Sequence, residues 1–65
     1  MRERDVKVGL RVEITRMPFK GRTGVVRGRG RILLTRVWEV WCDNPDFLGR
    51  QLVRTRASDM RPIED

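Results

Sequence analysis

Apolar and polar residues alternate at a two-residue period in several short stretches of this chain. No stretch carries an apolar stripe at the 3.6-residue helical period. Leu10-Arg11-Val12-Glu13-Ile14 is the clearest case and predicts a half-buried strand with Leu10, Val12 and Ile14 facing inward. A loop follows over 17–21, because Pro18 has no donor for a ladder and Gly21 permits a tight turn. A second strand opens at Gly24-Val25-Val26-Arg27, and Gly28 and Gly30 predict a bend or the tip of a hairpin. Ile32-Leu33-Leu34 can join either arm of that hairpin. Residues 37–43 predict a third strand with Trp38, Val40 and Cys42 on one face and Val37, Glu39 and Trp41 on the other. Turn formers crowd 44–49. Residues 50–57 alternate again, with Val53, Thr55 and Ala57 opposite Leu52, Arg54 and Arg56. Ser58-Asp59 can cap one helical turn, and Met60 and Ile63 supply a last short strand that Pro62 restricts to an edge.

Five short strands separated by turn signals predict an all-β domain, a small barrel or sandwich. Residues 1–7 are charged, mixed in sign and read as a loose lead-in, leaving 8–65 as the domain. There is no internal repeat and no linker. A chain of 65 residues holds one domain. At this size folding buries only about 60% of the unfolded surface, so the core is thin, roughly ten to a dozen side chains. A deep catalytic cleft is hard to build from so little material, and a surface patch is easy.

Charge sharpens this picture. Charged residues make up 37% of the chain, the formal net charge is +6, and 13 of the 15 basic residues are Arg. Arg presents a planar fork that pairs bidentately with phosphate or carboxylate and stacks on flat rings, which Lys does not. GC-rich codon usage gives the same bias. The net charge would attract nucleic acid, an acidic protein surface or an anionic membrane. The chain has one cysteine, Cys42, and no histidine. This excludes an internal disulfide and a Cys/His zinc site, and no metal or cofactor is expected. Cys42 reads as a small buried hydrophobe. The first residues lack the apolar run of a secretory signal and no segment is long enough to span a membrane, so a cytoplasmic protein with no membrane partner is expected. No nucleophile–base–orienter set can be assembled, and the carboxylates Glu13, Glu39, Asp43, Asp46 and Asp59 are scattered, so the expectation is binding without catalysis.

Gly9-Leu10-Arg11-Val12-Glu13-Ile14, then Pro18-Phe19-Lys20-Gly21, then Gly24-Val25-Val26 resembles a KOW motif. Residues 53–63 are similar to the closing strand, single helical turn and final strand of the same barrels. The similar pieces cover roughly 8–28 and 50–64, with Gly24 at the characteristic glycine. The resemblance implies a five-stranded SH3-like barrel with one short 3-10 turn before the last strand. It also implies a role like those of KOW ribosomal-protein domains and NusG-type C-terminal domains. Leu10 departs from the acidic or polar residue usual there, and 32–49 is longer and more aromatic than expected. SH3-like barrels serve many roles, so the resemblance speaks for fold more than for function.

Four features are candidates for function. In the 16–22 loop, Arg16, Lys20 and Arg22 surround Phe19, a combination suited to a phosphate plus a stacked base. Alternatively Phe19 closes the end of the barrel and the charges are merely solvated. Arg27, Arg29 and Arg31 supply phosphate forks on a glycine-rich backbone and share one face if the segment is extended; the other reading is a flexible tip with incidental charge. Trp38 is assigned to the core and Trp41 to the outside, where its indole can stack on a base, dock a partner or pack under the 44–49 loop. Arg54 and Arg56 extend the basic surface or form an ordinary solvated face. The expectation is a nucleic-acid-binding module, for RNA or a ribonucleoprotein, since nothing resembles a recognition helix for DNA. Its rivals are an adaptor that docks on an acidic protein surface through Val37, Trp41 and Leu52, and a small homo-oligomeric structural subunit. The nucleic-acid reading expects the 16–22 loop, the 27–31 run and Trp41 to share one side of the molecule.

Overall fold

The computed structural model describes residues 1–63, and the last two residues of the expected domain lie outside that range. Five strands carry the alternating segments: β1 (Arg11–Ile14), β2 (Thr23–Ile32), β3 (Thr35–Cys42), β4 (Leu52–Thr55) and β5 (Met60–Pro62). They form one antiparallel sheet in the order β4-β3-β2-β1-β5. β4 and β5 are its edges, and no ladder between them closes it among the described residues. Pro62 sits on the edge strand β5, where a missing N–H costs no ladder bond. A 3-10 turn, Ala57–Asp59, joins β4 to β5, starting one residue before the expected Ser58 and without a side-chain cap.

The inward set of each alternating strand forms one core: Val12, Ile14, Val26, Trp38, Val40, Cys42, Val53, Ala57 and Met60, with Leu10 and Phe19 packed against it. Trp38 is 2% exposed, and its indole N–H donates to Glu3 Oε1 at 3.0 Å. That acceptor comes from the opening segment, which folds as a 3-10 turn, Glu3–Asp5, and adds Val6 to the core instead of trailing loosely. Burial pushes the Cys42 thiol up from its ordinary range.

Gly24 explains how tightly β2 and β3 pair. A Cβ there would lie 2.3 Å from the Trp41 carbonyl oxygen and 2.7 Å from Cys42 Cα, both backbone atoms with nowhere to go. The hairpin tip lies elsewhere than the glycines predict. β2 runs through both Gly28 and Gly30 to Ile32, and the chain turns at Leu33-Leu34, with Ile32 opposite Thr35. Gly30 serves instead to admit cross-strand side chains, since a Cβ there would stand 3.3 Å from Glu39 Cγ and 3.4 Å from Val37 Cγ2.

Two carboxylates fix the end of the sheet opposite that tip. Asp43 takes both guanidinium nitrogens of Arg11, at 2.9 and 3.3 Å, and the Thr23 hydroxyl at 2.6 Å, tying β1 and β2 to the end of β3. Asp46 Oδ1 accepts the backbone N–H groups of Leu48 and Arg50 and folds the 44–50 loop on itself. The Thr23 hydrogen bond, then that from Arg11, holds Asp43 below its ordinary value of 3.8, and the Arg50 backbone N–H does the same for Asp46.

Gly24→Ala is expected to cost about 3 kcal/mol or to abolish folding, because backbone must move. Gly28→Ala, where nothing lies within 4 Å, is expected to stay within about 1 kcal/mol of the parent. Urea unfolding measures both. Because both aspartates are lowered in the folded state, their contribution is complete above pH 3.8 and is lost as the pH falls through their folded values. Asp43→Asn should therefore flatten the acid limb of the stability curve while leaving its slope near neutral pH unchanged.

Candidate functional site

The arginines divide by what their guanidinium groups meet. Arg16 and Arg56 both lie near Asp59, at 3.6 and 3.7 Å, Arg54 pairs with Glu39 at 3.3 Å, and Arg61 pairs with Glu13 across the β1–β5 ladder. Arg22 donates to the Asn44 and Arg50 carbonyls at 2.6 and 3.3 Å, pinning the 44–50 loop, while its Nη1 is buried without a partner. Its guanidinium also lies 5.9 Å over the Phe19 ring. Phe19 is half-buried: it packs against the core and lines the adjoining clefts.

Arg27, Arg29, Arg31 and Arg36 form the other group. All four lie on the β2–β3 hairpin, and none has an ion pair among the described residues. Arg2, Arg4, Arg50, Lys7 and Lys20 also lack one, but they lie in the opening segment and the connecting loops.

The hairpin arginines do not share one face, contrary to the reading of an extended 27–31 run. The β2–β3 register shifts between Val26 and Gly28, leaving Arg27 as an extra residue. A bulge of one residue reverses the parity of every side chain beyond it. Val26 lies opposite Val40 on the core face, yet Arg29 lies opposite Trp38 on that same face. Arg27 therefore turns outward, with its guanidinium carbon 5.0 Å from the centre of the Trp41 ring. Arg29 stacks on the other tryptophan, 5.1 Å from the Trp38 ring centre. Both distances are within reach of a cation–π attraction.

Beyond Trp38 the two strands carry Arg31 directly opposite Arg36. Like charges so placed repel each other. Arg29, Arg31 and Arg36 line a cleft of about 360 Å³ with Gly30, Val37 and Glu3, whose carboxylate already holds the Trp38 indole. The cleft thus gathers three cations and one committed anion, and an anionic group of phosphate size fits its charge. Arg36 was not among the sequence candidates. A two-residue turn at 33–34 would have paired it with Arg31, but only once that turn was recognised.

A second cleft, about 390 Å³, lies between the Arg16–Phe19 loop, Ile32 and Val37 of the hairpin, and Arg54 and Arg56. It brings together four sequence candidates, Arg16, Phe19, Arg54 and Arg56, whose cations are all engaged by Asp59 or Glu39. The sequence candidates thus distribute over this cleft, the neighbouring arginine cleft with which it shares Val37, and the Arg27–Trp41 stack. Of the proposed protein anchors, Trp41 and Leu52 face each other across β3 and β4 and are 42% and 41% exposed. Val37 is buried at 4%, because Gly30 opposite leaves room for it to settle onto the hairpin, and it cannot serve as an exposed anchor. Among the described residues no helix is long and apolar enough to cross a membrane.

A scan against protein-family models, a search of curated proteins and a search of solved structures each find no match to this chain.

Arg36→Gln is expected to raise folding stability by about 0.5 kcal/mol through relief of the Arg31 repulsion. Thermal melts at low and high salt check this, and the gain should shrink as salt screens the pair.

Proposed function

We propose that this chain is a non-catalytic nucleic-acid-binding module, acting on RNA or a ribonucleoprotein, whose binding element is the β2–β3 hairpin. The observation that carries this reading is the placement of Arg27, Arg29, Arg31 and Arg36. Among the described residues the arginine ion pairs of Glu13, Glu39, Asp43 and Asp59 all go to other arginines and none reaches this hairpin group, in which Arg31 is set against Arg36. An arginine fork without a protein acceptor is free to take a phosphate in its place. Trp41 under Arg27 offers a flat, part-exposed ring for a base.

The fold that accompanies this reading is an SH3-like barrel of the KOW type. It is supported by β1 lying between β2 and β5, by the 3-10 turn before β5, and by the need for glycine at Gly24. One observation favours a second reading, a protein adaptor: Trp41 and Leu52 form a cross-strand apolar pair on the outer face. A pull-down that survives nuclease treatment and is lost in Leu52→Glu would favour that adaptor.

Fluorescence anisotropy with a labelled single-stranded RNA, titrated with salt, tests the main reading. Four phosphate contacts predict that log affinity falls against log salt with a slope of about −3. Alanine at Arg29, Arg31 or Arg36 should each reduce that slope by about 0.7, whereas Arg61→Gln, with the same loss of charge, should leave it unchanged. Absence of binding at low salt overturns the proposal.

A further inference from the structure

The tip of the same hairpin is apolar and unsupported. Leu33 and Leu34 are 91% and 95% exposed, and Ile32 beside them is half exposed. Leu33 also has φ of +54°, a left-handed conformation that glycine or asparagine normally occupies in a hairpin turn. Neither leucine contributes to the core, and one is held in a conformation that costs stability. Folding alone therefore gives no reason for leucine at either position.

Ile32 lines clefts shared with Phe19, Leu52 and Arg54, and Val37 is buried, while Leu33 and Leu34 project beyond them. The last β4 rung on β3 is Trp38–Thr55, and three β2–β3 rungs continue past it: Gly30–Val37, Arg31–Arg36 and Ile32–Thr35. The end of the hairpin thus carries Arg29, Arg31 and Arg36, none in an ion pair among the described residues, and two exposed leucines.

Resting on the nucleic-acid reading above, we infer that Leu33 and Leu34 form a wedge that enters a base stack. The ligand class is a double helix at a step that opens readily. Arg29, Arg31 and Arg36 would grip the flanking phosphates while the leucines replace stacking between two bases, the way apolar side chains act in proteins that kink duplexes. Phosphate contacts alone would leave the leucines unused. A lipid surface fits the same chemistry less well, because two leucines bury less hydrocarbon than one myristoyl chain, which itself gives only marginal anchoring.

The test uses a DNA duplex with 2-aminopurine at a central TA step, and an RNA duplex with the fluorescent base beside a one-nucleotide bulge. The wild-type chain should raise 2-aminopurine fluorescence on binding in at least one arm, and the responding arm identifies the nucleic acid. The double variant Leu33→Gly, Leu34→Asn suits the turn better, so its melting temperature should match or exceed the parent's. It should keep the salt slope, bind about tenfold more weakly, and lose the fluorescence rise. Binding with a salt slope but no fluorescence rise, or a rise that persists in the double variant, overturns the wedge and leaves the nucleic-acid reading standing. Failure to bind any nucleic acid at low salt overturns both. Tighter, leucine-dependent binding to phosphatidylserine vesicles than to either duplex overturns the wedge in favour of a membrane. A concentration-dependent mass abolished by the double variant overturns it in favour of a second copy of this chain.

Discussion

The extra residue in β2 determines where much of the charge on this molecule points. β2 is ten residues long, and its register against β3 shifts at Val26/Gly28. Before it, Gly24 and Val26 face Cys42 and Val40 in the interior. After it, the face that carries Trp38 also carries Arg29, and Arg27 at the break is turned out over Trp41. Each tryptophan thereby receives one guanidinium, the buried ring at its accessible side and the outer ring across its face. A ladder without the bulge would put all three arginines of the 27–31 run on one side and leave Trp38 without its cation.

The carboxylates show the same economy. A domain with so thin a core gains from contacts that join distant parts of the chain, and Arg11–Asp43, Glu13–Arg61 and Glu3–Trp38 each join residues more than thirty positions apart. Exposed ion pairs are individually weak, about 0 to 1 kcal/mol. Their value here lies in register: Glu13–Arg61 fixes the β1–β5 pairing, and Arg54–Glu39 fixes β3–β4. With nine acidic residues against fifteen basic ones, pairing for register leaves an excess of cations. That excess lies partly in loops, and in the hairpin Arg29, Arg31 and Arg36 converge on one cleft.

Period-two alternation made β1, β3 and β4 legible, together with the inward sets Val12/Ile14, Trp38/Val40/Cys42 and Val53/Thr55/Ala57 and the outward turn of Trp41. These are local properties, settled by each residue's own neighbours in the chain. The bulge was not legible, because a register shift belongs to two strands at once. The expectation that Arg27, Arg29 and Arg31 share one face rests on an unbroken ladder, and three other features depend on pairing across the hairpin. The turn was drawn to the glycines, since glycine is the usual turn residue, and Leu33-Leu34 is not a turn sequence. Arg36 went unnoticed, since its meaning comes only from lying opposite Arg31. Val37 was assigned to an exposed face, since the gap left by Gly30 appears only when the two are paired. Arg16, Arg54 and Arg56 read as surface charge, which they are, but their partners Asp59 and Glu39 are far enough along the chain to hide the pairing in two of the three cases.

Natural sequences mostly agree with themselves across levels, and local rules are broken chiefly where function requires it. The sheet here keeps its rules over most of its length. Alternation matches burial, proline sits on an edge, and glycine stands where backbone presses closest. Four departures from those rules fall within residues 31–36: a like-charge pair face to face, a leucine at positive φ, and two leucines almost wholly exposed. Each of them can be removed by a single substitution that leaves the core untouched, so packing does not explain why they persist. A cation pair is relieved by an anion and an exposed leucine by an apolar surrounding, and stacked bases between phosphates supply both within a few ångströms. On the proposed reading, one ligand of that kind relieves the cation pair and the exposed leucines together, whereas a purely acidic partner leaves the leucines unexplained and a purely apolar one leaves the arginines.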